Sequence, residues 1–92
     1  MSETLVDNAA AHRFELEVDG GMAFIDYRRM GAVLYLNHAE VPAALGGRGL
    51  GSRLVRETLG LIRSRGEQVV PVCSFVRAVM ARHAEYNDLR AP

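Results

Sequence analysis

The chain has 92 residues, 49% of them apolar and 24% charged, and its 11 basic and 11 acidic side chains cancel. That length holds one domain, 1–92, and that balance excludes a disordered chain and argues against a dedicated nucleic-acid binder. No apolar run approaches the ~18 residues that cross a bilayer, so no membrane partner is expected.

Met1 to Ala11 is polar, Ala-rich and without period, with neither the basic n-region nor the apolar h-region of a signal peptide, and reads as a leader that is loosely ordered or docks late. His12 to Val18 then alternates, with Phe14, Leu16 and Val18 on one face and Arg13, Glu15 and Glu17 on the other, as a half-buried strand does. Asp19-Gly20-Gly21 makes a hairpin turn. Met22 to Arg29 alternates again, turning at Met30-Gly31. Ala32 to Glu40 is a third, more apolar strand, ended by Pro42. These three strands form an antiparallel meander.

From Leu50 the period turns helical. Leu50, Leu54, Thr58 and Leu61 share a face, with Val55, Leu59 and Ile62 beside them, while Arg53, Arg56, Glu57 and Arg63 lie outside. Gly66 suits the position just past the end, which predicts a helix over 50–65. Gln68 to Val72 is a short strand. Ser74 serves as N-cap of a second helix, carried by Phe75, Val76, Val79 and Met80 to about His83, and 88–92 is a tail. The order β-β-β-α-β-α gives an α+β fold, a meander followed by α-β-α. The crossover helix allows the third and fourth strands to run parallel. Where they part, a cleft opens beside the glycine loop.

Four glycines fall within the six residues Gly46 to Gly51, between strand and helix. Such a loop brings backbone N–H groups close to a ligand and aims a helix N-terminus at the same place, which suits phosphate oxygens. It is not a P-loop, because Ser52-Arg53 follows the glycines and all 11 basic residues are Arg. The absence of Lys also excludes Schiff-base chemistry. A dinucleotide fingerprint would need a longer parallel sheet. The loop could also be a plain tight turn.

Arg48-Gly49-Leu50-Gly51-Ser52, opening an amphipathic helix after Glu40-Val41-Pro42, resembles motif A of the Gcn5-related N-acetyltransferases. Gly49 and Gly51 match its two small positions. Gly46 stands where Gln or Arg is usual, and Arg48 compensates from within the loop. His38-Ala39-Glu40-Val41-Pro42, Pro71-Val72-Cys73-Ser74-Phe75-Val76 and His83-Ala84-Glu85-Tyr86 extend the likeness, from about His12 to Leu89, to a minimal single-domain branch with a Cys after the fourth strand. There Ala84 replaces the Pro often found in His-Pro-Glu-Tyr. The resemblance implies an acyl-CoA N-acyltransferase core. Its co-substrate is acetyl-CoA, whose pyrophosphate lies on the amides of Val41, Gly46, Gly47, Arg48, Gly49, Leu50, Gly51 and Ser52.

Acetyl transfer to an amine needs a base, a polarised carbonyl and a held thioester. Glu40 and His38, two apart on one strand and hence on one face, are the candidate bases. A surface Glu and a hydrogen-bonded strand His are the plainer readings. Cys73, between a buried strand and a helix start, has the setting that favours thiolate and so acyl acceptance. Inert gap filling is the alternative. Tyr86 is a candidate acid, though packing against the sheet suits it better. Arg53, Arg56 and Arg63 could meet the 3′-phosphate of CoA, or form a solvated helix face.

The leading expectation is an acetyl-CoA-dependent N-acetyltransferase acting on an amine of a protein or small molecule. A non-catalytic CoA-binding module and a purely structural domain are the alternatives. A lone cysteine implies no disulfide and a reducing cytoplasm, and too few Cys and His stand at ligand spacing for a metal. A monomer or weak homodimer is expected, since a small sheet exposes an edge.

Overall fold

Alternation in the first half of the chain becomes a sheet because every second residue is apolar and needs cover. The computed structural model describes residues 4–18, 20–43 and 49–92. Its strands are β1 (Val6–Asn8), β2 (Arg13–Val18), β3 (Gly21–Met30), β4 (Val33–Glu40) and β5 (Gln68–Pro71), hydrogen-bonded in the order β1-β2-β3-β4-β5. The first four are antiparallel, and β5 joins β4 in parallel with Val33 opposite Gln68 and Leu36 opposite Pro71. The crossover between them is helix α1 (Leu50–Ser64), and α2 (Ser74–Ala81) follows β5.

One face of the sheet meets both helices. Phe14, Leu16, Ala23, Ile25, Leu34, Leu36 and Val69 are fully covered there by Leu54, Val55, Leu59 and Ile62 of α1 and by Val76 and Val79 of α2. Each of these side chains except Ala23 contributes roughly 1.5–3 kcal/mol of burial. The opposite face, bearing Glu17, Met22, Arg28, His38 and Glu40, lies open to solvent. Among the described residues no helix is long and apolar enough to cross a membrane.

The meander, the crossover helix and the parallel fourth pairing lie where the sequence puts them. Three readings need correction. Val6–Asn8, read as part of a loose leader, is an edge strand paired with Arg13–Glu15. Its side chains are exposed or half-buried, so it carries no alternation to read. What docks it is Asp7, which accepts hydrogen bonds from the Tyr27 hydroxyl at 2.7 Å and the Arg65 guanidinium at 2.7 Å. The tail is docked too. Ala84–Leu89 forms a 3-10 segment, Leu89 is buried, and the Ala91 N–H donates to Val69 O at 2.8 Å. Finally, the N-cap of α2 is Cys73 in extended conformation, and Ser74 is its first helical residue.

Two irregularities shape the end of the sheet where α1 begins. The β3–β4 register shifts between Asp26 and Tyr27, so that Asp26 faces His38 and Tyr27 faces Leu36, leaving Asn37 as an extra, bulged residue. Beyond the pair Leu36–Pro71, β4 continues to Glu40 without β5 beside it. The two strands therefore part on the side where α1 begins.

Candidate functional site

The N-terminus of α1 opens into a cleft of about 380 Å³ lined by Val41, Gly49, Leu50, Gly51, Ser52, Phe75 and Arg82. Three segments meet there: the residue after β4, the first turn of α1, and α2. The first intrahelical bond of α1 runs from Arg53 N–H to Gly49 O at 3.0 Å. The amides of Leu50, Gly51 and Ser52 precede it and have no partner within the helix. No acidic residue stands in that first turn, and no side chain caps it among the described residues. Among the described residues nothing in that turn neutralises the positive end of the helix dipole.

The two glycines of the turn do different jobs. Gly49, the N-cap, has φ +70°, a left-handed conformation that costs other residues about 1 kcal/mol or more, and a Cβ there would meet nothing within 4 Å. Gly51 is ordinary helix, but a Cβ would lie 2.6 Å from the Phe75 ring tip and 3.5 Å from Val41. Its missing side chain is filled by the aromatic wall of the cleft. Gly46, Gly47 and Arg48, the remaining sequence-predicted loop contacts, lie outside the described residues.

The lining is apolar on Val41, Leu50 and Phe75, and donor-rich at the α1 amides and the Arg82 guanidinium. It contains no carboxylate. That combination fits a ligand that carries an anionic group beside a less polar portion.

His38 and Glu40 are brought together. The bulge at Asn37 turns both to the open face, where His38 Nε2 lies 3.7 Å from Glu40 Oε1 and the side chains are 58% and 61% exposed. The Phe24 ring stands 6.4 Å from the imidazole. Cys73 lies elsewhere, half-buried against the core at the end of the β5 segment. Its N–H donates to Leu36 O at 2.9 Å, which pins it beside β4 where the strands begin to part. None of the three lines the cleft itself, but Glu40 precedes the lining residue Val41, and Cys73 stands two residues before Phe75.

The other candidates have structural occupations. Arg63 holds both carboxylate oxygens of Asp88 at 2.9 Å and reaches Glu85 O, which fastens the C-terminal segment. Arg53 pairs with Glu57. Tyr86 packs against the core with the Arg63 guanidinium 5.8 Å from its ring.

Sequence reasoning missed Phe75 and Arg82 as lining residues. Phe75 looked like part of the apolar face of α2, yet it is 39% exposed. Positions 75 and 82 differ by seven, about 20° apart around a helix, and so share a side next to the buried Val76–Val79–Met80 face. That pairing was the legible sign.

The fold is shared with a solution NMR structure of a GCN5-like protein from Staphylococcus aureus, with a TM-score of 0.73 over 99% of this chain and 91% of that one. The two are 23% identical, a likeness of fold. No curated protein matches the chain. The family model for the GCN5-related N-acetyltransferases matches residues 13–89, nearly the whole described sheet and both helices. The chain belongs to the GCN5-related N-acetyltransferase family.

Proposed function

We propose that the chain is an acetyl-CoA-dependent N-acetyltransferase. The observation that carries this reading is the cleft at the start of α1, with three amides that have no partner within the helix, no carboxylate among its lining residues and an apolar wall. Acetyl-CoA, when bound, supplies an activated thioester. The amides of Leu50, Gly51 and Ser52 hold the diphosphate, and Val41 and Phe75 flank the arm. His38 and Glu40, facing solvent as a pair, take the proton from an incoming ammonium so that a neutral amine can attack. Their exposure suits an acceptor presented from outside, such as a protein amine or a small amine. Cys73 stands where the strands part and is available either to accept the acyl group or to line the path. Its unpaired thiol suits a reducing compartment. The reading needs no metal.

Calorimetric titration of the purified chain with CoA and acetyl-CoA tests this. Saturable binding of both, with CoA competing, is expected. Absence of heat and of any thermal shift at millimolar ligand removes the reading. Glu40→Gln is expected to leave CoA affinity unchanged while transfer to amines falls by about 10²-fold or more. Binding without transfer to any amine in a broad panel would instead favour a CoA-binding module, a reading to which the unenclosed His38–Glu40 pair also lends itself.

A further inference from the structure

Arg82 is the residue that neither the glycine loop nor the acid–base pair explains. It ends α2, lies exposed, and lines the same cleft as Gly49, Leu50, Gly51 and Ser52. Most of the arginines nearby are engaged. Arg53 holds Glu57, Arg63 holds Asp88, and Arg77 donates to the carbonyls of Pro71 and Val72. Among the described residues the guanidinium of Arg82 has no carboxylate and no carbonyl within hydrogen-bond reach. A cation at a helix C-terminus complements the dipole. Here, however, the last α2 carbonyls accept from backbone, Val79 O from the Arg82 N–H and Met80 O from the His83 N–H, each at 3.1 Å.

We infer that Arg82 is a further CoA-binding residue: its guanidinium neutralises the diphosphate from the side opposite the α1 amides. This rests on the proposed acetyl-CoA reading. Two independent features support it. The cleft holds two sources of positive potential, the first turn of α1 and Arg82, and no negative one. An unshared guanidinium with five donors also matches phosphate oxygens, which a backbone cradle alone leaves partly unbonded. Phe75, two helical turns before Arg82 on the same side of α2, places an apolar contact about 10 Å along the axis from the cation. The helix thereby offers the arm and the head of one ligand to successive residues on one side.

The test is calorimetric titration of CoA and dephospho-CoA into the wild-type chain, Arg82→Gln, Arg82→Lys and Arg28→Gln. Arg28 is an exposed arginine of β3 away from the cleft, and its variant is expected to bind as wild type does. Arg82→Gln is expected to weaken both ligands by about tenfold, and Arg82→Lys to recover much of that loss. Equal affinities for Arg82→Gln and wild type overturn the assignment while leaving the acetyl-CoA reading intact. A loss seen with CoA but not with dephospho-CoA also overturns it, because the charge would then serve the 3′-phosphate. Failure of the wild-type chain to bind either ligand removes the underlying reading and this inference with it.

Discussion

Gly51 shows how one absent methyl group can set both the packing of a ring and the wall of a cleft. A Cβ there would sit 2.6 Å from the ring tip of Phe75, the far end of a side chain that is itself 39% exposed. The ring can swing away, so the clash is relieved by losing the cleft wall. Ala in a helix is favoured over Gly by roughly 1 kcal/mol, which opposes the packing loss. Gly51→Ala alone should therefore change unfolding free energy little. In a Phe75→Ala background the same substitution should stabilise by about 0.5–1 kcal/mol. Chemical denaturation of the four proteins in that cycle measures the coupling; a zero coupling would show that the ring does not occupy the glycine's space. From the sequence, Gly49 and Gly51 read alike, as small residues that admit a ligand. The difference between them depends on a residue 24 positions downstream of Gly51 that only the folded chain brings near.

At the scale of elements, the segment after α2 is the clearest case of function in an unpromising stretch. Asp88 to Pro92 has no period and one large apolar residue, and so reads as a tail. Yet Leu89 is 5% exposed, Arg63 holds Asp88 with two hydrogen bonds, and Ala91 N–H occupies Val69 O on the outer side of β5. The segment covers part of the sheet edge that would otherwise offer unpaired groups to another chain. Truncation after Asn87 should lower stability by about 2–3 kcal/mol, the burial of Leu89 plus the lost charged hydrogen bonds. It should also promote self-association. Denaturation and light scattering check both, and an unchanged midpoint would assign the segment no structural weight. The helices behaved differently. α1 was legible almost to the residue because Leu50, Leu54, Val55, Thr58, Leu59 and Ile62 repeat with helical period and are all buried. The Cys73 cap was not, since a side-chain cap was expected and Ser74 makes none.

Across the whole molecule, Asp7 joins parts far apart in sequence. It lies on edge strand β1 and accepts from Tyr27 on β3 and from Arg65 at the end of α1. Burial pushes its carboxyl up. The hydrogen bonds from Arg65 and Tyr27, with the charges of Arg65 and Arg29, outweigh that and hold it below the ordinary carboxylate range. The same contact works on Tyr27, whose phenol burial and the Asp7 carboxylate raise. A depressed acid binds protons more readily unfolded than folded. Its contribution is therefore complete above the ordinary value near ~4 and is lost as pH falls through the folded value. Asp7→Asn should cost about 1 kcal/mol near neutral pH, and the gap to wild type should narrow as pH falls below the ordinary carboxylate value near ~4. A gap independent of pH would show that shape, not charge, fixes β1. The sheet order, the parallel β4–β5 pair and the single buried face could be read from alternation and from a crossover helix. The edge strand could not, because a polar contact spanning 58 positions, from Asp7 to Arg65, leaves no periodic trace.

The extra residue at Asn37 has a reach beyond its size. Strict alternation from Leu34 and Leu36 would bury His38 and Glu40 in hydrocarbon, where an ion is prohibitively costly. One added amino acid inverts the strand's sidedness midway. A single eight-residue ribbon thereby glues the interior with its first half and presents an imidazole and a carboxylate to the medium with its second.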